Sequence, residues 1–163
     1  MPYWQLFYHI VWATKNRAPL LTPDIEPTVH DLLRRKALGL QARVFALNGT
    51  ADHVHMVASI PPKIAVAKFI GQVKATASTQ FNKSGREVSF FWQEEYGAFS
   101  FDAKRLPNYV AYVERQKEHH AQGALISILE RTEIDVGATR ETRTIYRAND
   151  ARWQQELESL TEG

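Results

Sequence analysis

Asp52-His53-Val54-His55-Met56-Val57 is the stretch whose reading decides the fold. It reads as a strand over about 52–60. Strand side chains alternate faces, so His53 and His55 project to one side while Val54, Met56 and Ala58 project to the other. One face is built for packing and the other can carry chemistry. Two imidazoles two residues apart on a strand can hold one divalent metal if a third ligand arrives from elsewhere. The bland reading is a pair of ordinary surface or partly buried histidines.

The flanking sequence supplies a partner strand. Leu40 to Asn48 alternates, with Val44 and Ala46 expected on one face, and Asn48-Gly49 is a turn signal. A hairpin of 40–48 with 52–60 follows. Before it, Thr22-Pro23-Asp24 reads as a helix start and Gly39 as its end, giving a first helix over 23–38. Tyr3 to Thr14 is dense in aromatic and β-branched residues on both alternating faces, as in a central strand covered on both sides. His9 lies on the face of Gln5 and Phe7, either toward the functional side of the sheet or as a structural histidine.

After the hairpin, Pro61-Pro62 opens a second helix striped by Val66, Ile70, Val73, Ala77 and Phe81. Lys63, Lys68 and Lys74 are expected off that stripe, as phosphate contacts or as a solvated face. Phe90 to Phe101 reads as a strand pair or one bent strand. Gly97 within it marks a bulge or a close backbone approach. Asp102 to His120 reads as a third helix with Pro107 near its first turn. Leu125, Ile126 and Leu129 can continue a helix, and Trp153 to Leu160 can form a short terminal one.

Strand–helix–strand–strand–helix–strand is the order of the ferredoxin-like, RRM-like split βαβ, an α+β fold on an antiparallel sheet. Here it carries an added C-terminal helix that bears Tyr109 and Tyr112. In such a fold the helices cover one sheet face, and the other is expected to stay open for a ligand, commonly single-stranded nucleic acid. The domain is expected over 1–120, with 121–163 as an extension, helical or partly disordered.

Composition narrows the chemistry. A chain of 163 residues suits one domain. It has no cysteine, so any metal site must use nitrogen and oxygen ligands. No apolar run approaches the ~20 residues that span a bilayer. The start lacks a signal-peptide pattern, which leaves the cytoplasm as the expected compartment. Residues 1–125 hold 15 Lys+Arg against 10 Asp+Glu, and residues 126–163 hold 5 against 8. A mildly basic domain suits an anionic partner such as nucleic acid, and equally an ordinary protein surface.

On the third helix, Tyr112 and Gln116 are four apart and share a face. If that face looks toward His53 and His55, Gln116 can offer an amide oxygen to a metal, with a phenol one turn away. Tyr109 shares the face but lies two turns from Gln116. His119 and His120 follow, as further ligand-shell groups, DNA contacts or exposed histidines.

Together, Asp52-His53-Val54-His55-Met56 and Tyr112-Val113-Glu114-Arg115-Gln116, followed by His119-His120, resemble the two signatures of the IS200/IS605-type single-tyrosine (HUH) transposases. Trp12-Ala13-Thr14-Lys15-Asn16-Arg17, Trp92-Gln93 and Tyr96-Gly97-Ala98-Phe99-Ser100 also look like landmarks of that family. The resemblance covers about residues 3–120 in the right order; Gln122 to Gly163 does not match it. It implies that His53, His55 and Gln116 bind Mg²⁺ or Mn²⁺. It implies that Tyr112 attacks a phosphodiester of single-stranded DNA, giving a 5′-phosphotyrosine and a free 3′-hydroxyl that rejoins strands later without ATP. It implies a homodimer that recognises DNA hairpins at element ends. Lys15, Arg17, Lys63, Lys68 and Lys74 are candidate phosphate contacts.

Two other readings compete with that one. A non-catalytic single-stranded nucleic-acid-binding protein derived from a transposase would bind oligonucleotides equally in EDTA and never cleave. A metal-dependent phosphodiesterase using water would cleave without trapping a covalent adduct.

Overall fold

A computed structural model of the chain describes residues 2–123 and 125–132. Four strands form one antiparallel sheet: β1 (Phe7–Ala13), β2 (Arg43–Gly49), β3 (His53–Ser59) and β4 (Gly97–Phe101). Their order is β2-β3-β1-β4. The helices α1 (Glu26–Gly39) and α2 (Val66–Lys83) complete the expected α+β split βαβ. Every residue of β3 is buried, so this strand is the spine of the molecule.

The first sheet face follows the alternation in β3 and β1. Val54, Met56 and Ala58 join Ile10 and Trp12 in the main core. Onto them pack Val29, Leu33 and Ala37 of α1, and Phe69, Ile70, Val73, Ala77 and Phe81 of α2. Helix spacing of these side chains buries one stripe of each helix against the sheet.

The second face is not open as expected. Ala46 and Val57, with Phe99 and Phe101 at the side, form a separate apolar cluster there. Tyr109, Tyr112 and Val113 of α3 (Leu106–Glu114), together with Ile126 and Leu129, cover it. The reason lies in the strands: apolar side chains stand on both faces, and burying them favours a second layer.

Several boundaries move for local reasons. Helix α1 begins three residues later than expected, with Pro27 in its first turn in place of Pro23. Thr22 Oγ1 turns to Asp24 instead of capping a helix. Val44 and Ala46 face opposite sides. Val44 opposes Ala58 and Ala46 opposes Val57, so Phe45 is the extra residue of a β-bulge, which breaks the alternation. Of the stretch 90–101 only Gly97–Phe101 is a strand; Trp92 makes a lone bridge to Thr14. The expected helix 102–120 is a 3₁₀ turn at Ala103–Arg105, then α3, then α4 (Gln116–Gln122), with a break at Arg115. Ile126 and Leu129 lie in and beside a 3₁₀ turn, Ser127–Glu130, rather than continuing a helix. The proposed helix over Trp153–Leu160 lies outside the described residues.

Lys74 is also different from expectation. It is buried, and its Nζ donates to the carbonyls of Gln93, Glu94 and Glu95 at 2.6, 3.1 and 3.3 Å. It ties the segment before β4 to α2, so it is neither solvated nor free for phosphate. Among the described residues no helix is long and apolar enough to cross a membrane.

Candidate metal centre and tyrosine

The strand period places His53, His55 and Val57 on the second face. Both imidazoles are buried, and their rings lie 5.1 Å apart. What faces them arrives from the C-terminal side of the domain. His120 of α4 brings its Nε2 to 3.0 Å from His53 Nε2. Glu130 places Oε2 at 3.0 Å from His55 Nε2, 3.3 Å from His53 Nε2 and 3.6 Å from His120 Nε2. One ligand atom from each of these four residues lies within 4.8 Å of every other. Three imidazole nitrogens and a carboxylate oxygen are donors suited to a divalent cation.

The tyrosine stands on the other side of the same carboxylate. Tyr112 Oη donates to Glu130 Oε1 at 2.5 Å and accepts from the Ile126 N–H at 3.1 Å. Its ring is edge-on to His55 at 6.1 Å and stacked on His119 at 5.0 Å. Burial pushes the phenol above its ordinary range, and the bond to Glu130 pushes it further; the Ile126 N–H and Gln116 act the other way. Tyr109, the other phenol of that helix face, is stacked on Phe101 at 4.0 Å, and burial pushes it up to about 12.

Gln116 is completely buried. Its Nε2 donates to the Tyr112 carbonyl at 3.3 Å, and its Oε1 has no hydrogen-bond partner among the described residues. A buried amide oxygen without a donor is costly. A cation is one thing that would satisfy it, so the donor set and this orphaned oxygen both fit a bound metal.

Each strand histidine is held from behind by a different group. His53 Nδ1 donates to Asp52 Oδ1 at 2.6 Å, with Thr50 Oγ1 at 2.9 Å. Burial alone would lower His53, but Glu130 and Asp52 outweigh it and raise it. His55 Nδ1 meets instead His9 Nε2 at 2.9 Å. Burial lowers His55 despite Glu130, and lowers His9 further. Burial and nearby His53 also lower His120. Burial opposes ionisation of Glu130, yet hydrogen bonds from His53 and His55 hold it far below the usual carboxylate range.

The helix that carries the phenol is pinned to the sheet of its own chain. Asn48 Nδ2 donates to the Glu114 carbonyl at 2.9 Å. Lys117 Nζ reaches Asn48 Oδ1 at 2.6 Å and Glu26 at 2.8 Å. Segment 125–132 lies across β1 and β4, close enough that a Cβ built on Gly97 would stand 2.0 Å from the Arg131 carbonyl oxygen. The expected close backbone approach at Gly97 is this one.

Sequence reasoning singles out His53, His55, Tyr112 and Gln116, and leaves His120 as a further ligand-shell group, a DNA contact or an exposed histidine. It missed Glu130. That residue lies beyond the matched motifs, and its only signal was the apolar pair Ile126 and Leu129 that buries the turn carrying it.

The chain belongs to the family described as "Transposase IS200 like", whose model matches residues 2–116. Among curated proteins it is similar to the transposase for insertion sequence element IS200 of Salmonella typhimurium. The two are 28% identical over 131 residues, 77% of this chain and 86% of that protein. It is also similar to the ISDra2 transposase TnpA of Deinococcus radiodurans, 29% identical over 75 residues, 46% of this chain and 54% of that protein. Two solved structures share the fold. One is a candidate transposase from Deinococcus radiodurans R1 (TM-score 0.58, 21% identity, 71% of this chain and 95% of that one). The other is a REP-associated tyrosine transposase bound to a REP hairpin (TM-score 0.55, 12% identity, 77% and 76%).

Proposed function

We propose that this transposase cleaves and rejoins single-stranded DNA through a covalent bond between Tyr112 and a 5′-phosphate, at a Mg²⁺ or Mn²⁺ site built on His53, His55 and Gln116. One observation carries the reading: the Tyr112 hydroxyl and the two strand imidazoles converge on the two oxygens of a single carboxylate, Glu130. Oxygens held between a phenol and a pair of imidazoles mark where phosphate oxygens would be bound.

The chemistry divides among these groups. Tyr112 Oη attacks phosphorus, the bond to the 3′-oxygen breaks, and a 3′-hydroxyl leaves; the reverse step rejoins strands. His53 and His55 present their Nε2 atoms from the rigid β3, and Gln116 adds its amide oxygen. The bound cation supplies positive charge for the phosphate oxygens and for the ionising phenol. In the arrangement described, Glu130 holds the phenol rather than deprotonating it. The phenol lies above its ordinary ~10 and the carboxylate far below its ordinary ~4.3. Proton transfer from the phenol to this carboxylate is therefore unfavourable in that arrangement. Glu130 would therefore have to leave the phenol before attack.

Within one chain, Tyr112, His53 and His55 already meet at Glu130. A hairpin-containing single strand is the substrate class we favour, since a structural relative is bound to a hairpin. The test is incubation with single-stranded DNA from the flanks of the encoding locus plus Mg²⁺ or Mn²⁺. A covalent protein–DNA species that disappears in Tyr112→Phe and in EDTA is expected. An adduct that survives Tyr112→Phe, cleavage with no adduct, or binding without cleavage would each reject the proposal.

A further inference from the structure

His9 is fully buried on the central strand β1, behind the metal-facing histidines. Its ring meets His55 at Nε2···Nδ1 2.9 Å, and its own Nδ1 is buried with no partner among the described residues. The directions of these bonds follow from elementary donor rules. A carboxylate accepts only, so His55 must carry its proton on Nε2 to bond Glu130 Oε2 at 3.0 Å. A neutral His55 then has a bare Nδ1. His9 must donate to it, so the His9 proton is on Nε2 and its Nδ1 is bare.

Metal coordination reverses every one of these assignments. His55 can ligate through Nε2 only with the lone pair there, which moves its proton to Nδ1. That N–H would then point at the N–H of His9 across 2.9 Å. The clash is relieved only if His9 carries its proton on Nδ1 and accepts at Nε2. We infer that His9 is a positioning residue that forms a two-imidazole relay with His55: their ring tautomers switch together when the metal binds.

The proton count is conserved. Each ring carries one proton before and after. Solvent water takes the proton that leaves His55 Nε2, the shared proton passes from His9 Nε2 to His55 Nδ1, and solvent water supplies the proton that arrives at His9 Nδ1. A carboxylate in place of His9 could only accept, as Asp52 does behind His53. A second imidazole can serve either state, so it can hold the His55 ring in one orientation with and without the ion. Ligand-orienting groups of this kind typically change metal affinity by about 10- to 100-fold when removed.

The inference rests on the metal reading proposed above, and the experiment separates the two. Long-range ¹H–¹⁵N spectra of the full chain at pH 7.5 distinguish protonated from bare ring nitrogens. Without metal, His9 and His55 are both expected as Nε2–H tautomers. With saturating MgCl₂ both are expected as Nδ1–H. A His9 that keeps one tautomer throughout, or a His55 that carries two protons without metal, overturns the relay while leaving the metal site standing. If the His53 and His55 rings do not respond to Mg²⁺ at all, the metal reading fails and the relay with it. Two variants add a second readout by calorimetric Mn²⁺ titration. His9→Leu, which can neither donate nor accept, should lose about 10- to 100-fold in affinity. His9→Gln, whose amide can do either, should recover most of it. Equal affinities in all three proteins would overturn the positioning role.

Discussion

The hydroxyl of Tyr112 and Oε1 of Glu130 lie 2.5 Å apart, while the other oxygen of that carboxylate reaches His55 Nε2 at 3.0 Å. The carboxylate thus bridges the phenol and the strand imidazoles, which come from different elements: α3 and β3. It arrives on a turn whose Ile126 and Leu129 are buried against the same sheet face. Packing of two apolar side chains fixes where the charge sits, so the state of the candidate site depends on how well this short segment is seated.

Replacing Glu130 with Gln should bring the Tyr112 phenol down toward its ordinary range. Burial remains, but the short bond to a charged acceptor and the Coulombic opposition to phenolate are removed. Ultraviolet titration at alkaline pH, with Tyr112→Phe as the blank, reads this directly. A phenol that titrates at the same pH in both proteins would show that burial alone sets it.

Stability should fall as pH drops below about 6.5. His9, His55, His120 and His30 all have folded values lowered by burial, His30 to about 4. For such groups the unfolded chain binds more protons on the acid side, so their contribution is present above the unfolded value and lost as pH falls through the folded one. His30 alone corresponds to a difference on the order of 3 kcal/mol between pH 6.5 and 4. His53 is raised and works in the opposite sense, so its contribution is lost as pH rises through its folded value. Four lowered groups against one raised group give a net loss in acid. Urea unfolding at pH 7.5, 5.5 and 4.5 measures it, and a flat profile would contradict the lowering of these four imidazoles.

Much of this was legible in the sequence because strand and helix periods are geometric. The alternation in 53–58 assigned His53 and His55 to one face and Val54, Met56 and Ala58 to the core, and the four-residue spacing of Tyr112 and Gln116 survived the break at Arg115. What escaped notice depends on contacts between distant segments. The bulge at Phe45 puts Val44 and Ala46 on opposite faces, and no local composition announces it. Lys74 read as a surface cation because its partners are carbonyls of residues 93–95, which have no sequence signature. His9 read as an ambiguous strand residue, since its meaning lies in the register that brings β1 beside β3.

Lys74→Ala should cost about 1–3 kcal/mol of stability, because three partly buried carbonyl contacts lose their shared charged donor. It should leave the salt dependence of single-stranded DNA binding unchanged, since a cation engaged inside the protein neutralises no phosphate. Urea unfolding and oligonucleotide affinity between 50 and 200 mM salt, on the scale over which such contacts are felt, separate the two roles. A shallower salt slope in the variant would restore Lys74 as a phosphate contact.

Gly97→Ala should unseat the segment that covers the candidate site. A Cβ there would stand 2.0 Å from the Arg131 carbonyl oxygen and 2.9 Å from Val11 Cγ1. Val11 is on the central strand and cannot yield, whereas residues 125–132 are held by Ile126, Leu129 and side-chain bonds to Tyr112, the histidines and Arg17. The segment should therefore lift, which removes both the Ile126 N–H and Glu130 from the phenol. Limited proteolysis should then cut between Gly123 and Thr132 at a rate at least several-fold above that of the parent, with the sheet core still protected. If instead the whole domain becomes protease-sensitive and its melting temperature falls sharply, the segment is part of the cooperative core and cannot move independently of it.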